Sequence, residues 1–180
     1  MHETTGQILT VFMGFFAIMN PIANTPVFLG LTAADSTAIR RRIALKAVLM
    51  TFVLIVAFIL LGKLIFTLFG ITLPAFQITG GILVFMIGLQ MLHGQQSKVH
   101  SPAAGGKEQN LQGALSVAVT PLAMPILGGP GTIAAAMNFS SEGDITSMLV
   151  TIIAFGLLCL VTFVFFVFGE RLVRVLGDEG

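Results

Sequence analysis

The chain has 180 residues, of which 56% are hydrophobic and 9% charged, with a formal net charge of +1. Charge this scarce and apolar content this high exclude an ordinary soluble domain and describe a polytopic membrane protein. About 20 apolar residues cross a bilayer as a helix, so the length allows five spans in one domain, residues 1–180. A spanning β-barrel would need alternation of apolar and polar residues, and Phe52-Val53-Leu54-Ile55-Val56-Ala57-Phe58 has none.

The expected fold is an all-α transmembrane bundle. Span 1 runs from about Ile8 to Leu31. A segment from Thr32 to Arg42 follows, with Asp35 or Ser36 as N-cap and a basic cluster of Arg40, Arg41, Arg42 and Lys46. Span 2 covers Ile43 to Phe69 and stops at Gly70. Span 3 covers Ala75 to Leu92. A polar loop extends from His93 to Asn110, span 4 from Leu111 to Phe139, and span 5 from Ser147 to Phe168. The loops after spans 1 and 3 and the tail after span 5 are basic, and the loop after span 4 is acidic with Glu142 and Asp144. The positive-inside rule then puts the N-terminus outside. The first span lacks a basic flank and a small-residue cleavage site, so it reads as retained. Cys159 is the single cysteine and lies inside an apolar span, which suits a small buried side chain.

Two spans are interrupted. Span 1 contains Asn20-Pro21-Ile22-Ala23-Asn24-Thr25-Pro26. Span 4 contains Thr120-Pro121-Leu122-Ala123-Met124-Pro125, then Gly128-Gly129-Pro130-Gly131-Thr132. Each proline removes an N–H and frees the carbonyl four residues back. In hydrocarbon, irregular backbone survives only within protein or beside a water-filled cavity. Pro21-Ile22-Ala23 and Pro121-Leu122-Ala123 match at an offset of one hundred, and span 1 enters from outside while span 4 enters from inside, which is the trace of an inverted 3+3 repeat. The first repeat covers about 1–93 and the second about 111–180. A counterpart of span 3 would begin near position 175, so a sixth span is expected to be missing. The alternative is a genuine five-span protein completed by a second copy.

Thr25-Pro26 and Gly129-Pro130 read as starts of fresh half-helices, with threonine or glycine as cap and proline in the first turn. Their N–H groups suit an anionic group and the freed carbonyls suit a cationic one, so a zwitterionic amino acid fits both. Asn20, Asn24, Thr25, Thr120, Gly129, Gly131 and Thr132 are the candidate substrate contacts. Gly80, Gly81 and Gly88 in span 3 read as packing residues. There is no metal-ligand spacing, no paired carboxylates and no Ser/His/Asp set at membrane depth, so no catalysis is expected. No cofactor is called for, and coupling to Na⁺ or H⁺ is left open. The expected partners are a small neutral solute, the bilayer and a second copy of the chain, with no nucleic acid.

At Met19-Asn20-Pro21-Ile22-Ala23-Asn24-Thr25-Pro26, Ile78-Thr79-Gly80-Gly81-Ile82-Leu83, and Pro121 through Thr132, the chain resembles the MarC family of inner-membrane proteins, within the LysE-like exporter group. The end, Leu172-Val173-Arg174-Val175-Leu176-Gly177, fits the segment before that family's last span. The resemblance implies six spans, broken first and fourth helices, and transport of small neutral amino acids such as glycine and alanine. Alternatives are an exporter of other small solutes or drugs, a channel, or a non-transporting membrane scaffold.

Overall fold

Pro21 has no N–H for the carbonyl of Ala17, so one helix ends before it and another begins on it. In the computed structural model, which describes residues 2–92, 127–140 and 145–177, these are α1 (His2–Met19) and α2 (Pro21–Leu31). They are followed by α3 (Thr37–Phe69), α4 (Leu73–Leu92), α5 (Pro130–Phe139) and α6 (Ile145–Gly177). Every regular element among the described residues is a helix, and the protein is an all-α membrane bundle.

α3 and the stretch Ile145–Gly169 of α6 are each long and apolar enough to cross a bilayer. α1 and α2 together make a third span if the pair, bent by 41° at the break, is one span. α4 has 20 residues and covers the expected third span. Of the expected fourth span, α5 is the final ten residues, and 111–126 lie outside the described residues. α3 and α6 have 33 residues each. At 1.5 Å per residue that is about 50 Å, longer than the hydrocarbon layer, so both continue into the headgroup region.

α3 starts at Thr37, six residues before the apolar span, and its cap is one of the two expected: the Ser36 hydroxyl accepts from the Ile39 N–H at 3.4 Å. The basic cluster therefore lies on the helix. α3 ends as expected, with Gly70 at φ 64° and the Ile71 N–H closing onto the Phe66 carbonyl at 2.8 Å. One helix boundary departs from expectation: the second half of span 1 starts at Pro21, not Pro26. Asn20 takes the capping position, and Pro26 lies within α2.

α6 is the hub: α1, α2, α3 and α5 all pack on it. Lipid tails are as apolar as leucine, so helix association here depends on close packing and dispersion rather than on escape from water. The buried side of α3 repeats at helical spacing through Ile43, Ala47, Thr51, Ile55, Ile59, Gly62 and Phe66. Leu49, Val53, Leu60 and Leu64 of α3 are exposed. Phenylalanines fill the joints. Phe15 of α1 meets Phe139 of α5 edge-on at 5.3 Å and Phe155 of α6 at 4.9 Å, and Phe28 of α2 stacks on Phe166 at 4.3 Å. Glycines admit the neighbours. A Cβ on Gly14 would meet the Phe139 ring at 2.6 Å, and one on Gly62 would meet the Met137 methyl at 2.7 Å. Among the described residues no neighbouring group lies within 4 Å of a Cβ placed on Gly81, one of the three glycines read as packing residues. Buried threonines donate to the carbonyl one turn back, as Thr51 does to Ala47 at 2.9 Å and Thr162 to Leu158 at 2.8 Å. Cys159 is buried, as its place in an apolar span implied.

Arg40 does more than set orientation. Its Nη2 donates to the buried carbonyl of Thr32 at 3.2 Å, at the C-terminal end of α2, where a cation is favoured. Arg41 and Arg42 are exposed. Arg40→Ala is expected to lower stability by about 1–2 kcal/mol, and Arg41→Ala or Arg42→Ala by less than about 0.5 kcal/mol. Thermal unfolding followed by exposure of the Cys159 thiol to a maleimide dye checks the difference.

Candidate functional site: the broken first span

The break is built from Asn20 outward. Asn20 sits at φ 39°, ψ 74°, in the left-handed region that asparagine tolerates better than most residues. That conformation turns the chain out of α1 while the Asn20 N–H still bonds the Phe16 carbonyl at 2.9 Å. The Asn20 Oδ1 accepts from the Ala23 N–H at 3.1 Å, capping α2. With the Ala23 N–H taken, the Met19 carbonyl has lost its helical donor. The Asn24 Nδ2 supplies one, at 2.6 Å. Thr25 Oγ1 donates to the Pro21 carbonyl at 2.7 Å. The polar side chains of the motif thus complete the hydrogen bonding that the proline interrupts.

These bonds leave a defined remainder. Asn20 is exposed and Asn24 half-buried. The Asn20 Nδ2 and the Asn24 Oδ1 bond nothing among the described residues. Pro21 and Pro26 leave the Ala17 and Ile22 carbonyls without their usual donors. Thr25 is 1% exposed and is not the helix cap expected from its sequence position. Its methyl group lies in a notch at Gly169 of α6, where a Cβ would come within 2.5 Å of Thr25 Cγ2.

The second interrupted segment is described from Leu127 onward. Gly129 is the extended cap of α5, at φ −67° and ψ 173°, with no side-chain hydrogen bond to the helix, and Pro130 is in the first turn. Here the expected helix start is observed. The Ile133 N–H bonds the Gly129 carbonyl at 3.0 Å, and Thr132 Oγ1 donates to the buried Leu127 carbonyl at 3.0 Å. The N–H groups of Gly131 and Thr132 have no acceptor among the described residues, as first-turn donors do without a cap. Thr132 is 3% exposed. Thr120 lies outside the described residues.

Seen together, the candidates form two groups. Asn20, Asn24 and Thr25 surround one break; Gly129, Gly131 and Thr132 surround the other. No hydrogen bond joins the groups among the described residues. They are connected through packing: α5 against α1, and both α1 and α2 against α6. Gly169, Phe166 and Arg40, which position α2, did not figure among the sequence candidates. Phe168-Gly169-Glu170 reads only as the end of an apolar run; its clue is a lone small residue on a helix face, which many helices share.

Comparison with known proteins agrees with this architecture. The sequence signature described as MarC family integral membrane protein matches residues 5–180. The UPF0056 membrane protein YvbG of Bacillus subtilis is 37% identical, over 94% of this chain and 81% of its own. The UPF0056 membrane protein PH0760 of Pyrococcus horikoshii is 34% identical over 100% of this chain and 85% of its own. The UPF0056 inner membrane protein MarC of Escherichia coli is 37% identical over 69% of this chain and 57% of its own. No solved structure matches the chain. With a family signature spanning nearly every residue and relatives aligned over its whole length, the chain belongs to the MarC family of integral membrane proteins.

Proposed function

We infer that the protein is a secondary transporter of small neutral amino acids, of the glycine and alanine type, working by alternating access in the inner membrane with its N-terminus outside. The observation that carries this reading is the break at Asn20-Pro21, which leaves carbonyls and amide groups uncommitted within a membrane span. The unfilled first turn of α5 adds donors of the opposite kind. If α1 and α5 run antiparallel, as alternating spans do, the two breaks lie at similar depth. Asn20 is about 9 Å along the axis from Gly14, and Pro130 about 13 Å from Phe139, which Gly14 touches. Carbonyl and amide oxygens near an ammonium, and helix N–H groups near a carboxylate, match a zwitterion. Glycine at positions 129 and 131 leaves room for a small side chain only. No cofactor is invoked, and Na⁺ or H⁺ coupling is a separate question.

The test is counterflow of labelled alanine into liposomes holding the purified chain and preloaded with unlabelled alanine. Accumulation that glycine and serine compete away is the expected result. Gly131→Leu, which fills the first turn of α5, is expected to reduce that uptake at least about tenfold, the scale of one or two lost hydrogen bonds. Equal uptake of bulky drugs would favour a broad exporter, conductance without saturation a channel, and silence toward every solute a scaffold.

A further inference from the structure

The two halves of the broken span are held in different ways. α1 is interlocked with two helices. The Phe15 ring meets Phe139 of α5 and Phe155 of α6 edge-on, and the Phe139 ring fills the space at Gly14. Such rings separate only if several side chains repack. Among the described helices, α2 packs mainly on α6. Its contacts there are shallow: Phe28 lies flat on Phe166, with the planes 5° apart, and the Thr25 methyl sits in the notch at Gly169. A flat stack and a one-methyl notch part without repacking the core. The far end of α2 meets the first turn of α3, where Arg40 Nη2 donates to the Thr32 carbonyl at 3.2 Å.

Between the halves lies a hinge. Asn20 belongs to neither helix, sits at φ 39°, and the axes bend by 41° across it. The Met19 carbonyl is bonded by a side chain, Asn24 Nδ2, instead of a helical N–H. The bonds from Asn20 to the Ala23 and Asn24 N–H groups cap α2 and would turn with it. Rotation at Asn20 therefore redirects α2 without unwinding either helix. A swing of about 20° would move Thr25, about 8 Å along the axis, by about 3 Å, and Thr32, about 18 Å along, by about 6 Å. The first displacement is enough to lift the methyl from its notch.

We propose that α2 is the moving gate of the carrier: it turns about Asn20 as a rigid half-helix and leaves the Gly169 notch in each transport cycle, while α1 stays fixed. The proposal rests on the transport reading and adds which half of the broken span moves.

The first experiment locks the seat. A Cβ on Gly169 would lie 3.4 Å from Leu29 Cδ1 and 3.7 Å from Leu29 Cγ, within reach of a disulfide. In a Cys159→Ala background, oxidised Leu29→Cys/Gly169→Cys protein is expected to lose alanine counterflow at least about tenfold relative to its own reduced form, and reduction should restore it. Equal counterflow by the oxidised and reduced forms would overturn the proposal. Failure of the pair to cross-link would overturn it too, because α2 would then not occupy the notch in the bilayer. A second readout needs no transport. Thr25 and Met19 flank the hinge and are each 1% exposed. In the same background, the thiol of Thr25→Cys is expected to react with N-ethylmaleimide at least about tenfold faster than that of Met19→Cys, because only the α2 side opens. That difference in a protein that moves no solute would sink the transport reading and keep the moving half-helix. Equal protection of the two thiols would overturn the gate whether or not the chain transports.

Discussion

Gly169→Ala is expected to destabilise the protein by about 1–2 kcal/mol, although alanine is the better helix former. The added Cβ would meet Thr25 Cγ2 at 2.5 Å and Leu29 Cδ1 at 3.4 Å. Thr25 cannot turn aside. It is buried, branched at Cβ, and held by its hydroxyl's bond to the Pro21 carbonyl. Overpacking costs about 1–3 kcal/mol, and the gain in helix propensity offsets up to about 1 kcal/mol of it. The test is a double-mutant cycle. Thr25→Ser keeps the hydroxyl bond and removes the methyl. In that background Gly169→Ala is expected to become neutral or slightly stabilising, a coupling of about 1–2 kcal/mol. Melts followed through Cys159 measure it. A loss from Gly169→Ala that is the same in the wild-type and Thr25→Ser backgrounds would show that the notch does not govern how α2 seats on α6. Gly169→Leu should go further, pushing α2 away and parting the Phe28–Phe166 stack, with alanine counterflow lost as the half-helix moves.

The notch and the break differ in how far they can be read from residues alone. Spans 1, 2 and 5 were legible because hydropathy and scarce charge act over 20 residues at a time, and Ser36 and Gly70 were legible as a cap and a stop because each acts locally. The break was legible as a place, since proline acts on its own backbone. Its internal wiring was not. Thr25-Pro26 has the form of a cap followed by a first-turn proline, yet Asn20-Pro21 has it too and lies upstream. Once Asn20 adopts the left-handed conformation, α2 nucleates there and Thr25 is already one turn inside. The close-packed glycines were missed for a related reason: Gly14, Gly62 and Gly169 are isolated in the sequence and form no pattern of their own. Which helix faces a given glycine is a tertiary fact, and only the arrangement around α6 supplies it. Arg40 escaped for the same reason: its partner is a carbonyl eight residues back, in a turn whose shape sequence pattern does not encode.

Asn20 and Asn24 are expected to separate holding the break from contacting a substrate. Asn20→Gly should fold with a loss of only a few tenths of a kcal/mol, because glycine adopts φ 39° without strain and glycine is a fair cap. Asn20→Ala should lose about 2–3 kcal/mol, combining left-handed strain with the missing cap to the Ala23 N–H. Asn24→Ala should lose about 1–3 kcal/mol, since the Met19 carbonyl is then unpaired within a membrane span. Transport lost by Asn20→Ala or Asn24→Ala therefore cannot by itself assign a contact. Asn20→Gly can, because its fold is kept while its amide is gone. If the Asn20 Nδ2 reaches the substrate, the KM for alanine in counterflow should rise about tenfold, the worth of one hydrogen bond to a charged carboxylate. An unchanged KM in a fully folded Asn20→Gly protein would confine Asn20 to shaping the helix, and the substrate reading would then rest on Asn24 and the first turn of α5.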